Sequence, residues 1–123
     1  MYKFYNNNPK GKLVGDCSIR AISLALGQPW EKTYKDICSI GLDVCDMPSA
    51  NAVWGLYLQD HGFKRQIIPN TCPDCYSIRE FCFDHPKGLY IPCTGSHVTV
   101  SVDGDLFDTW DSGDEMPVYY WTK

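Results

Sequence analysis

The stretch 97-HVTVSVDGDLFDTW-110 constrains this chain more tightly than any other. Alternating β-branched and polar residues run into Asp103-Gly104 and out again, the pattern of an antiparallel hairpin closed by a type I′ turn. A two-residue turn pairs Val102 with Asp105, and so sets His97 opposite Trp110 and Thr99 opposite Asp108. Strand side chains alternate between faces. His97, Thr99 and Ser101 therefore share a mixed face with Leu106, Asp108 and Trp110, while Val98, Val100, Val102, Phe107 and Thr109 form the apolar one. The Asp108 carboxylate then lies diagonally across from the His97 ring, within reach of it. A three-residue loop with a bulge would bring Asp111 onto that face instead, which makes Asp111 the alternative acid. The two-residue register is preferred because it packs three valines with Phe107 and leaves no carboxylate among them.

The rest of the chain supplies what this hairpin packs against. Helical spacing of Ile19, Ala21, Ile22, Ala25 and Leu26 predicts a helix from Cys17 to a stop at Gly27. A second helix is expected from Pro29, as its first residue, to about Ile40, with Trp30 and Tyr34 in the core. A third runs from Ser49 to about His61, with Gly62 as its stop. Residues 63–69 read as a strand, Ser77–Asp84 as a short helix, and 88–93 and 117–121 as further strands. Residues 1–14, rich in Asn, Gly and Lys, read as an irregular entry segment. Helices first and strands afterwards is an α+β order, with N-terminal helices packed on a C-terminal antiparallel sheet. At 123 residues without repeats or a linker, one domain over 1–123 is expected.

A net charge of −4, and no basic run longer than Lys64-Arg65, argue against a nucleic-acid binder. No stretch approaches the ~18 apolar residues that span a bilayer, and the start reads without a secretory leader. A soluble cytoplasmic protein is the expectation, with no membrane partner and its oligomeric state not legible. Seven cysteines, an odd number without a secretion signal, point to reduced thiols rather than a disulfide framework.

Of these thiols, Cys17 is the one placed for chemistry. At a helix start it meets unpaired backbone N–H groups and the positive end of the helix dipole, which favour thiolate. Its own N–H can face a developing oxyanion. Cysteine at an early helix start, histidine on a later strand and aspartate on the next form a nucleophile, base and orienting acid. With GDC-x-x-RAI near the start, G-x-H-V-x-V-x-x-DG-x-x-x-DTWD later and a terminal YYW, the chain resembles small phage-encoded papain-like cysteine peptidase domains. More loosely it is similar to bacteriocin-processing C39-like peptidases and to NlpC/P60 hydrolases. The resemblance runs from Gly15 to Trp121 and is most specific at its ends. It implies a papain-like fold, catalytic Cys17, His97 and Asp108, no cofactor, and a protein or peptide substrate, cleaved at an amide or isopeptide bond in the infected host's cytoplasm.

One position departs from the pattern. Papain and the C39 enzymes resemble each other in carrying a glutamine six residues before the nucleophile as an oxyanion donor; here that residue is Gly11. Asn8, with Asn6 and Asn7 beside it, is the nearest upstream amide and the oxyanion candidate; the Cys17 N–H is the surer donor. Arg20, one turn along from Cys17, reads as a salt-bridge partner. Tyr119, Tyr120 and Trp121 suit either a core or a recognition surface. Two other classes stay open. One is a catalytically weak or inactive phage accessory binder on the same fold, sequestering a host protein or a small signalling molecule. The other is a redox or zinc module, for which Cys72, Cys75, Cys82 and His85 give the spacing C-x2-C-x6-C-x2-H. Against zinc, Cys82 fits an apolar helix face and His85 is held extended by Pro86.

Overall fold

A computed structural model describes residues 1–69 and 75–123. The chain forms an α+β fold of four helices and a six-stranded mixed sheet. Its elements, in order, are β1 (Tyr2–Phe4), α1 (Cys17–Leu26), α2 (Trp30–Val44), α3 (Asn51–Asp60), β2 (Lys64–Ile67), α4 (Ile78–Asp84), β3 (Leu89–Cys93), β4 (Val100–Val102), β5 (Asp105–Asp108) and β6 (Tyr119–Thr122). The sheet order is β1-β5-β4-β3-β6-β2.

The hairpin has the expected register. Val102 pairs with Asp105, Ser101 with Leu106 and Val100 with Phe107. Asp103 and Gly104 both take positive φ, 50° and 83°, as a type I′ turn demands. The helix starts and stops also follow local chemistry. Gly27 is left-handed at φ 63°, its N–H donating to Leu24 O while Gln28 N–H donates to Ser23 O, a Schellman end to α1. Ser77 and Glu80 form a reciprocal capping box that fixes the start of α4.

Four expectations need correcting, the first being that Tyr34 lies in the core: it is exposed, stacked on the half-buried Trp30. Residues 1–14 are not wholly irregular: β1 pairs parallel to β5, Tyr2 with Leu106 through Phe4 with Asp108, so the sheet is mixed rather than antiparallel. Nor is it wholly C-terminal, because β2 joins its other edge through β6. Pro29 caps α2 from outside, with ψ 152°, and the helix continues four residues past Ile40. Gly41 lets it do so: a Cβ there would sit 2.8 Å from Asp46 O, where the chain turns back after Cys45.

The main core lies between the sheet and α1–α3, around Ile22, Ile37, Val53, Trp54, Leu58, Ile91, Val100 and Trp121. Tyr119 and Trp121 are buried in it, so the terminal aromatic run contributes mainly to the core. On the mixed face of the hairpin, Leu106 packs with Ile78 and Cys82 of α4 and with Tyr2. That face is therefore buried too, and Thr99, Ser101 and Asp108 are almost wholly out of solvent.

Candidate active site

α1 begins at Cys17 because the apolar face of the helix docks on β3 and β4 from that point on. Asp16 holds the N-cap position, but its side chain makes no cap hydrogen bond. It turns away to accept from Arg20 Nη1 at 2.5 Å and from Trp30 Nε1 at 2.8 Å. The first helical bond runs from Arg20 N–H to Asp16 O at 2.8 Å. The N–H groups of the first turn, beginning with that of Cys17, thus have no side-chain cap and no partner within the helix.

His97 sits just before β4, held by its N–H to Thr94 Oγ1 at 2.9 Å and by the bond its carbonyl accepts from Thr94 N–H at 2.8 Å. Its Nε2 lies 2.7 Å from Asp108 Oδ2. That leaves Nδ1 free of the carboxylate, and the ring shares a cleft with Cys17, near enough for each to shift the other's pKa. Trp110 covers the imidazole, ring centroids 5.0 Å apart. Asp108 is fully buried, and four donors satisfy it. Oδ2 accepts from His97 and, at 2.7 Å, from Ser112 Oγ. Oδ1 accepts from Arg20 Nη2 at 2.9 Å and from Thr109 N–H at 2.8 Å. The three residues singled out in the sequence are thereby brought together, from a helix start, a strand entry and a strand end.

The electrostatics favour an ion pair. Burial opposes a thiolate at Cys17, yet the His97 hydrogen bond, the Val98 N–H and the charges of His97 and Arg20 outweigh it and lower the thiol's pKa. Burial also opposes an imidazolium at His97, but bonds to Asp108 and Cys17 raise it to about 9. For Asp108, burial raises the pKa and the bonds from His97, Ser112 and Thr109 more than reverse that, holding the carboxyl below its ordinary value. The shifts thus favour imidazolium and carboxylate at neutral pH and bring the thiol closer to ionisation than an ordinary cysteine.

Cys17 and His97 open on a cleft of about 350 Å³, lined also by Gly15, Ser18, Ser49, Asn51, Trp54 and residues 94–96. Apart from the Trp54 indole its lining is made of small, mostly hydroxyl-bearing or polar residues, with no charged side chain beyond Cys17 and His97. A larger cavity, about 480 Å³ beside Cys82, Phe83 and Leu106, contains neither Cys17 nor His97.

Two candidates fall away from the cleft. Asn8 accepts from the N–H groups of Lys10 and Lys12 within its own loop, at 2.9 and 3.2 Å, and does not line the cleft. The carboxamide that does line it is Asn51, at the start of α3, which nothing in the linear pattern marks. Asp111 lies half-exposed and pairs with Arg79 at 3.3 Å, away from His97. Arg20 is a buried salt-bridge partner of both Asp16 and Asp108. Ser112 and Trp30 were not singled out for the site; their roles depend on tertiary contacts, and only the Asp16–Arg20 spacing of four residues carried a signal.

Of the zinc set, Cys72 lies outside the described residues. Cys82 is buried against Ile78 and Leu106, and His85 stacks on Phe81 at 4.0 Å while its Nδ1 meets Phe81 O at 2.8 Å. Cys75 is exposed. Among the described residues, no three His, Cys, Asp or Glu side chains are grouped to hold a metal, and no helix is long and apolar enough to cross a membrane. No family model, curated protein or solved structure matches this chain.

Proposed function

We propose that this chain is a papain-like thiol hydrolase that cleaves an amide or isopeptide bond by acyl transfer through Cys17. The observation that carries this reading is one imidazole bonded to a buried, fully satisfied carboxylate and sharing a cleft with a thiol at a helix start. The Cys17 thiolate attacks the carbonyl carbon, forming a C–S bond, and the oxygen takes the negative charge toward the first-turn N–H groups of α1. The His97 imidazolium gives its proton to the leaving nitrogen as the C–N bond breaks. Neutral His97 then takes a proton from water, whose oxygen attacks the thioester. A carboxylic acid leaves, and thiolate and imidazolium are restored. An amine in place of water gives transfer by the same steps. The uncharged cleft suits a neutral polar peptide segment, and the resemblance to phage peptidases suggests a protein met in an infected cell.

The test is alkylation by a limiting neutral electrophile such as chloroacetamide at pH 7, mapped by mass spectrometry. Modification is expected to be stoichiometric at Cys17, lost in Cys17→Ser and slowed at least tenfold in His97→Ala. Equal labelling of Cys17 and the exposed Cys45 would overturn the reading. The binder alternative draws on Asn8 lying away from the cleft, and it would be favoured by that same equal labelling.

A further inference from the structure

The buried contacts do not stop at Asp108. They continue through Arg20 to Asp16 and end at the indole of Trp30, a run that alternates in charge from the imidazolium: carboxylate, guanidinium, carboxylate. Arg20 and Asp16 are almost wholly buried, so their charges are little screened by solvent. The arrangement presents a difficulty. A lone guanidinium on Oδ1 would hold Asp108 in place, but its positive charge would also offset the negative charge that Asp108 presents to His97. Asp16, on the far side of Arg20, removes that conflict.

We propose that Asp16 and Arg20 are positioning residues forming a charge-balanced clamp: Arg20 fixes the Asp108 carboxylate, and Asp16 cancels the guanidinium's charge so that Asp108 acts undiminished on His97. The proposal rests on the catalytic reading of Cys17, His97 and Asp108, and adds the residues that regulate its acid–base poise. Trp30 N–H holds Asp16 on the Arg20 side, turned from the cap position it would otherwise occupy. The other groups facing this run are few. His97 meets Cys17, Asp108 and the uncharged ring of Trp110. Asp108 meets, besides its four donors, the phenol of Tyr2 at 3.2 Å and the N–H of Tyr5 at 2.8 Å on its backbone carbonyl, and the phenols of both tyrosines also face Arg20. Asp111 and Asp114 are engaged with Arg79 at the surface.

The clamp makes a prediction that mere structural support does not. Loosened packing would move the His97 midpoint in one direction whichever partner was removed. Charge balance moves it in opposite directions. Asp16→Asn leaves the guanidinium uncompensated and destabilises the imidazolium. Arg20→Gln can still donate to Asp108 but leaves two carboxylates uncompensated, and so stabilises it. Over a run of three contacts, a span on the order of 10 Å at an intermediate effective dielectric, each change is worth about one pH unit. The double variant removes both charges and is expected to return close to the starting midpoint.

The experiment is ring NMR of labelled histidine, of which the chain has only His61, His85 and His97. It is done in the full-length Cys17→Ala protein, so that the thiolate does not contribute to the titration. Opposite shifts of the His97 midpoint in Asp16→Asn and Arg20→Gln, with His61 and His85 unmoved, support the clamp. Shifts in the same direction, or none in either, overturn it. If Asp16→Asn fails to fold, a rise in Arg20→Gln and its reversal in the double variant carry the same test, and their absence overturns the proposal. The catalytic reading fails separately, through unselective labelling of Cys17 in the unmodified protein.

Discussion

A carboxylate with four donors and no solvent, as Asp108 is, can neither rotate nor readily take up a proton. It gives His97 a fixed orientation and a permanent negative neighbour. Asp108→Asn removes the charge and keeps the volume, so the His97 pKa falls and with it the thiolate fraction of Cys17. Alkylation at pH 7 should slow by about tenfold, the equivalent of one pKa unit, measured as the second-order rate with chloroacetamide. Ser112→Ala instead removes one neutral donor and leaves the charge. It should cost roughly 1.5–3 kcal/mol in urea denaturation, the range for a bond to a charged group, while selective labelling at Cys17 persists. At this scale the sequence was informative about Cys17, His97 and Asp108, because turn chemistry and strand alternation place them. Asp108 was separable from Asp111 because only the two-residue register kept carboxylates off the valine face. Asn8 failed as a candidate because an asparagine followed by Pro-Lys-Gly closes a turn on itself, a bond as local as any cap.

The elements divide by the range of the interactions that define them. α1, α3 and the β4–β5 hairpin were legible from period and punctuation, since Gly27, Gly62 and Asp103-Gly104 act within a few residues. β1 was not. Three residues paired parallel to a strand a hundred positions later have no local signature, and their Asn-rich sequel points toward loop. α2 outran its expected end because Gly41, a weak helix former, is retained for the close return of Asp46 O. The turn offers the matching test. Gly104→Ala introduces a side chain at φ 83° with Pro86 Cα 3.4 Å from the new Cβ, and should cost about 1 kcal/mol or more by denaturation. If the register survives, the Cys17 labelling rate should change far less than stability does.

For the molecule as a whole, the opposite shifts of His97 and Cys17 link stability to pH. His97, raised from 6.5 to about 9, contributes stability fully below pH 6.5 and loses it as pH climbs to about 9. Cys17, lowered from 9.0, contributes above 9.0 and loses that contribution as pH falls toward its folded value. Where the two windows overlap, between the folded value of Cys17 and pH 9, the two slopes oppose each other. In Cys17→Ala the histidine acts alone, and stability should decline as pH rises from 6.5. The Tm difference between the unmodified protein and this variant should therefore widen as pH rises from the folded value of Cys17 toward 9; a constant difference would mean that the fold does not favour the thiolate. The α+β class was legible at this scale from the order of helices and strands. The mixed sheet, and the cover that α4 gives its second face, depend on contacts that no single segment encodes.

The distance along the chain between Cys17 and its partners has a consequence in time. The thiol is made eighty residues before His97 and still longer before Asp108, and until those residues dock it has no reason to differ from the other cysteines. A growing or unfolded chain therefore carries an ordinary, mostly protonated Cys17. Its reactivity switches on only when the hairpin seats against α1. In a refolding experiment, the burst of Cys17 alkylation should follow the last long-range step rather than the formation of helices, so this thiol would serve as a clock for the completion of the fold.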